Sequence, residues 1–266
     1  MNNKVTFLGT GTSTGVPVIG CHCQVCKSEN PHNKRLRTSI IVQTKNNKTF
    51  LVDTTPDLRM QLLSNSIEKI DFVLLTHEHA DHLHGIDDLR PLCFSFNGKE
   101  LPFYALPEYE NSLKNKFPYI FNRTKKKILG GGVPLLKYCP IILGEQIIED
   151  VKFIFFLLPH GRMKVLGFQH DKMAYIIDCH EIPIEIITYL RGQNLELLII
   201  DCLQEKKHST HLSRQQAFDY IEEISPKKAS LIHIGHYLEH EELKVKSQKI
   251  TTSMVEPAFD QLSLEY

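Results

Sequence analysis

Four side chains of metal-ligating type fall within six residues: His77, His79, Asp81 and His82. They follow directly on an apolar run, Asp71-Phe72-Val73-Leu74-Leu75. At the end of a strand, residues two apart point the same way. His77 and His79 are therefore expected to face one point. Asp81 and His82, where the chain turns into a helix, face a second point a few ångströms off. Imidazole suits zinc, iron or manganese, and a carboxylate holds a second divalent ion or orients bound water. One such histidine is ordinarily a surface or core side chain, but four ligand types at this spacing behind an apolar strand point to a metal site. The chain carries 14 histidines. Several close apolar runs, where strand-built sites place their ligands: Pro159-His160-Gly161, Ile176-Ile177-Asp178 and Ser230-Leu231-Ile232-His233.

A second constellation is Cys21, Cys23 and Cys26, three thiolates on one tight loop. Seven cysteines is an odd number, and in a reducing compartment such a cluster binds metal rather than forming disulfides. A structural zinc takes four ligands. The fourth is expected to be His236, three residues past His233, with His22 inside the loop as the competitor. Cys93, Cys139, Cys179 and Cys202 read as core residues.

The elements that must position these groups alternate in type. Strands are expected over residues 5–8, 39–43, 49–53, 71–76, 103–106, 152–158, 173–178, 195–201 and 229–233, with a hairpin turn at 45–48. Helices are expected from Pro56, with Thr55 as N-cap, over 85–92, 108–116 and 183–191, and after Ser213. Residues 93–148 are less regular and are expected to shape the mouth of a pocket. Recurring strand then helix argues for a layered α/β architecture. With no linker or low-complexity tract in its 266 residues, the chain is read as one domain, 1–266.

The totals narrow the partners. Thirty-one basic and thirty-one acidic residues cancel, so no global field draws the protein to nucleic acid or an anionic membrane. Nothing in the sequence is apolar for long enough to span a bilayer, and the N-terminal residues hold no signal-peptide apolar region. The expectation is a cytoplasmic protein.

The segment from His77 to His82 is the H-x-H-x-D-H motif, and on it the chain resembles the metallo-β-lactamase superfamily. Asp53, His160, Asp178 and His233 follow in the order of that superfamily. The resemblance implies a four-layer αββα sandwich. It implies one divalent ion on His77, His79 and His160 and a second on Asp81, His82 and His233, with Asp178 between them. Within the superfamily, further segments resemble the cyclic-phosphate phosphodiesterases of carbon–phosphorus lyase pathways: 9–13, 15–17, the cysteine cluster, 37–39, 52–59 and 85–90. Those enzymes hold an extra zinc on three cysteines and one histidine, matching Cys21, Cys23, Cys26 and His236. Self-association into a homodimer is an expectation of the resemblance alone.

The reading is a hydrolase for a small cyclic or nucleotide-like phosphodiester, using two divalent ions, zinc or manganese, and one structural zinc. Asp81 would orient the attacking hydroxide. His211, just before the Ser213 helix, is preferred over His208 as the acid for the leaving oxygen. Asp201 is expected to support a ligand histidine. Arg59 and Arg90 match phosphate geometry but, each close behind an acidic residue, are read as structural ion pairs. His84 and His180 are read as non-ligands. The alternatives are a thioester or other ester hydrolase and an RNA-processing nuclease. The nuclease would grip RNA with Arg123, Lys125, Lys126 and Lys127; nucleic acid is disfavoured by the zero net charge. A metal-stabilised binding module without catalysis leaves the full ligand set without a purpose.

Overall fold

The computed structural model describes residues 2–94, 99–122, 132–250 and 252–266. In its first half β1 (Lys4–Gly9), β2 (Ser39–Gln43) and β3 (Thr49–Val52) run antiparallel, and β4 (Phe72–Leu74), β5 (Leu101–Ala105) and β6 (Leu136–Pro140) continue the sheet in parallel. In its second half β7 (Gly144–Ile148), β8 (Val151–His160), β9 (Met163–His170) and β10 (Met173–Ile176) form an antiparallel meander. It continues in parallel through β11 (Leu197–Asp201), β12 (Lys228–Ile232) and β13 (Met254–Pro257). The final strand, β14 (Ser263–Glu265), returns to pair with β1, so each sheet has seven strands.

The two sheets stack through an aromatic core. Phe50 and Phe72 of the first meet Phe153 and Phe168 of the second at ring-centroid distances of 5.2–6.3 Å. Edge-to-face contacts of this kind add to what burying the rings contributes. A separate apolar cluster joins the outer face of the second sheet to the helices Ile184–Arg191, Arg214–Ile224 and His240–Ser247. The helix Leu58–Ser64 buries Leu58 and Leu62 against the other sheet. Helix, sheet, sheet, helix is the expected four-layer αββα sandwich.

Most expected elements are present. Ser213 caps its helix with a full capping box, its hydroxyl on the Gln216 amide and the Gln216 side chain returning to the Ser213 amide. The helix expected from Pro56 starts later, at Leu58, because Thr55 Oγ1 accepts from the Asp57 amide and holds that segment in a turn. The strands β6 and β7 arise in the stretch read as irregular. Cys93, Cys179 and Cys202 are buried as expected, whereas Cys139 is only half-buried, its thiol bonded to the Lys137 carbonyl. Arg123 and Lys125–Lys127, the basic tract of the nuclease reading, lie outside the described residues.

The topology gathers carboxyl ends of strands on one rim. Asp53 follows β3, the His77 segment follows β4, His160 ends β8, Asp178 follows β10, Asp201 ends β11 and His233 follows β12. In open α/β sheets that edge is where ligands bind. The rim is closed by tight packing: Gly85 donates to the Thr54 carbonyl at 2.9 Å, and a Cβ on Gly85 would stand 1.8 Å from the Thr55 carbonyl oxygen. Gly85→Ala is therefore expected to destabilise the fold by at least about 2 kcal/mol, measured by denaturant unfolding. Unchanged stability would show that the 54–57 loop yields freely.

Candidate metal centre

The site begins with three sharp turns of backbone. Asp53, Asp178 and His233 have φ of 67°, 50° and 59°. The left-handed region costs an L-residue roughly 1–2 kcal/mol, and each residue leaves its strand there. Asp53 then anchors the rim from beneath. It is fully buried and accepts from the Thr76 amide (2.7 Å), the Thr76 hydroxyl (2.8 Å) and His82 Nδ1 (2.7 Å).

These bonds set the protons on the histidines. The Thr76 hydroxyl gives its hydrogen to Asp53, so it accepts from His77 Nδ1 at 3.1 Å, which leaves His77 Nε2 as a lone pair. His160 Nδ1 donates to the Thr210 carbonyl at 3.0 Å, so its Nε2 is also a lone pair. Both meet His79 Nδ1, at 2.9 and 3.3 Å. His82 Nδ1 donates to Asp53, and its Nε2 faces Asp81 Oδ2 at 3.2 Å and Asp178 Oδ2 at 3.1 Å. Asp178 Oδ1 lies 3.4 Å from His233 Nε2.

The lone pairs of His77 and His160 converge on His79 Nδ1, and two carboxylates converge on His82 Nε2, so each group is met by a proton or by a cation. His82 Nε2, Asp178 Oδ2 and His233 Nε2 are buried without an aligned hydrogen-bond partner, and buried polar atoms are rarely left so. Burial resists charging of His82, yet Asp178, Asp53 and Asp81 outweigh it and hold that imidazole well above its ordinary pKa. Burial alone would raise the Asp81 and Asp178 carboxyls. The neighbouring histidines, His82 for Asp81 and His233 with His82 for Asp178, hold both well below their ordinary range. His77 goes the other way: burial and the charge of His82 keep it neutral. Ionised carboxylates, the neutral imidazoles of His77 and His160, and a His82 proton that a cation would replace make a ring on one rim that fits divalent ions. Their atoms form the groups His77–His79–His160, His77–His82–Asp178 and Asp81–His82–His233, each within 4.8 Å.

Next to this centre His211 Nδ1 contacts Asp201 Oδ2 at 3.0 Å and Asp178 Oδ1 at 3.5 Å, its ring stacked on His233 at 4.7 Å. Burial disfavours its charge, but the Asp201 carboxylate and its hydrogen bond prevail and raise it to about 9. Asp201 thus holds His211, not a member of the ring as expected from sequence. His208 is exposed and bonded to Thr210. His180 accepts from the Gly161 amide. Among the described residues, exposed Arg59 reaches the Met60 sulfur and makes none of the expected ion pairs, and Arg90 donates to the Gly132 carbonyl.

The cysteine loop is the second gathering of ligand atoms. The sulfurs of Cys21, Cys23 and Cys26 lie 3.3, 3.6 and 3.6 Å from His236 Nδ1. The Cys26 amide bonded to Cys23 lowers that thiol to about 6, which favours thiolate. Burial raises Cys26 to about 11. His236, rather than His22, closes this set.

Residues 48–234 match the beta-lactamase superfamily domain, and the chain belongs to the metallo-β-lactamase superfamily. Solved relatives with this fold include a metal-dependent hydrolase and a diphosphatase. A solved diphosphatase of the PhnP family is 37% identical and superposes with a TM-score of 0.88, over 100% of this chain and 98% of its own. Over 251 residues the chain is 38% identical to an octanoyltransferase of Porphyromonas gingivalis, covering 91% of this chain and 48% of that protein. The chain therefore spans about half the length of that relative. Zn(2+)-bound PqqB from Methylobacterium extorquens shares the fold at 18% identity, with a TM-score of 0.78 over 99% and 100% of the two chains. No helix among the described residues is long and apolar enough to cross a membrane.

Asp53→Asn removes the charge that fixes His82 and Thr76. It is expected to weaken divalent-metal affinity about 10- to 100-fold, read by competition with a chromophoric chelator. Unchanged affinity would mean that Asp53 does no more than close the loop.

Proposed function

We propose that the chain is a phosphodiesterase for a small cyclic or nucleotide-like phosphodiester. In this reading one divalent ion would be held by His77, His79 and His160 and a second by Asp81, His82 and His233, with Asp178 available to either. Such a pair, zinc or manganese, supplies Lewis acidity toward phosphoryl oxygens and acidifies water to near neutrality. The chain's own groups do the rest. Asp81, held ionised, accepts a hydrogen bond from the attacking water and aligns it. Asp201 keeps a proton on His211 Nδ1 and keeps the ring charged at neutral pH, so Nε2–H is the proton available to the leaving oxygen.

The observation that carries the proposal is this His211–Asp201 pair beside the metal-type centre. A sugar or alkyl alkoxide is a poor leaving group and needs a proton; a thiolate or a phosphate leaves without one. A held imidazolium is thus matched to P–O(alkyl) cleavage. The PhnP-family diphosphatase supports phosphoryl chemistry on this scaffold. A second reading, hydrolysis of an acyl thioester, is favoured by the octanoyltransferase relative, of which the chain spans about half. The Cys21–Cys23–Cys26–His236 set is read as a structural zinc that ties the N-terminal loop to the segment carrying His233.

His211→Ala is expected to lower kcat on an alkyl phosphodiester about 10²- to 10⁴-fold. The loss should be much smaller on bis(p-nitrophenyl) phosphate, whose leaving group needs no proton, and metal content should not change. An equal loss on both substrates would remove His211 from the acid role. Turnover of octanoyl thioesters with neither phosphodiester cleaved would favour the second reading. Cys23→Ser is expected to lower zinc content by one equivalent, measured by plasma mass spectrometry; an unchanged content would rule out the structural zinc.

A further inference from the structure

Outside both clusters lies a third meeting of ligand-type side chains. His32, His240 and Glu241 bring one ligand atom each to within 4.8 Å of one another. His32 sits in the turn Pro31–Asn33, six residues past Cys26; His240 and Glu241 open the helix His240–Ser247, just past His236. The imidazole centroids are 4.5 Å apart, and His32 Nδ1 is 4.0 Å from Glu241 Oε1. His240 is 97% buried, and its Nδ1, like His32 Nδ1, is buried without a hydrogen-bond partner. A buried imidazole with an unanswered nitrogen, beside a second imidazole and a carboxylate, is a half-assembled coordination sphere.

From this juxtaposition we infer that His32, His240 and Glu241 form a further zinc site, separate from the rim and from the cysteine loop. Two imidazoles and one carboxylate are a zinc donor set that leaves a fourth position for water. Neighbouring ligand atoms around tetrahedral zinc stand ~3.3 Å apart, given bonds of 2.0–2.1 Å. The 4.0 Å gap closes by a small swing of Glu241, whose side chain is exposed.

The charges around the cluster permit a cation. Arg35 is buried nearby and repels one, as does the N-terminal end of the helix dipole. Against them stand Glu239, Glu241 and Glu242 at the first turn, and Asp260 and Glu239 acting on Arg35. Burial, with the charges of His32 and Arg35, lowers His240 to about 4, so its lone pair is available at neutral pH. A zinc here would clamp the 31–33 turn to the helix, joining the same two stretches of chain that the cysteine set joins one step earlier. His233 lies three residues before His236 on the same stretch.

The alternative is packing alone, since His32 also stacks on Phe259 at 4.0 Å. His32→Phe keeps the ring on Phe259 and removes the nitrogens; Glu241→Gln keeps the size and weakens ligation. Full-length protein, incubated with excess zinc and freed of unbound metal, is assayed for zinc by plasma mass spectrometry and for thermal unfolding with and without zinc. Relative to wild type, each variant is expected to hold one zinc fewer and to lose part of the zinc-dependent rise in Tm. Cys23→Ser should lose a different equivalent, so that the double variant loses two. Phosphodiester cleavage should be unaffected by either substitution. If both variants keep the wild-type zinc content and thermal shift, the cluster is aromatic packing only.

Discussion

The architecture of the rim depends on one electrostatic constraint: lone pairs and carboxylates are brought to within about 3 Å of one another, with His77, His82, Asp178 and His233 buried and His79 open to solvent. His77 Nε2, His79 Nδ1 and His160 Nε2 converge on one side, and His82 Nε2 faces two carboxylates on the other. Protons on His79 Nδ1 and His82 Nε2 answer these groups, and divalent ions would take the same places. Asp53 and the Thr210 carbonyl occupy the outer nitrogens of His82 and His160, which fixes the inner nitrogens, Nε2 of each, toward the rim.

Rigidity behind the rim serves that convergence. The parallel strands end in register, and the left-handed turns at Asp53, Asp178 and His233 aim side chains over the sheet edge. Strain at these positions is tolerated because the stacked aromatic core and the close approach of Gly85 to the 54–57 loop fix the chain on both sides. The N-terminal Gly-rich loop reaches across as well: the Ile234 amide bonds to the Thr10 carbonyl beside His233. Sequence positions some 220 residues apart thereby share one wall of the site.

Much of this was legible in the sequence, for reasons that can be named. The spacing His77, His79, Asp81, His82 behind an apolar strand is a local pattern, and local patterns survive folding. The other rim residues were marked by their place at the ends of apolar runs. What could not be read was pairing between distant groups. Asp201 looked like a support for a ring histidine and instead holds His211, a choice set by how β11 and the loop after it meet in space. Strands β6 and β7 were hidden because half-exposed edge strands lack a continuous apolar signature. The His32–His240 cluster was missed because neither residue lies at a strand end and the two are over 200 positions apart. The recurrence of histidine just after Cys26 and just after His236 was the only available signal.

In the proposed function the rim gathers its donors for two divalent ions used in phosphodiester hydrolysis. Anomalous diffraction at the metal edge, from crystals of protein grown with manganese or zinc and active on a phosphodiester, tests it most directly. Two anomalous peaks are expected on the rim, one among His77, His79 and His160 and one among Asp81, His82 and His233, with the Asp178 carboxylate touching both. An active protein with a single peak there, or none, would contradict it.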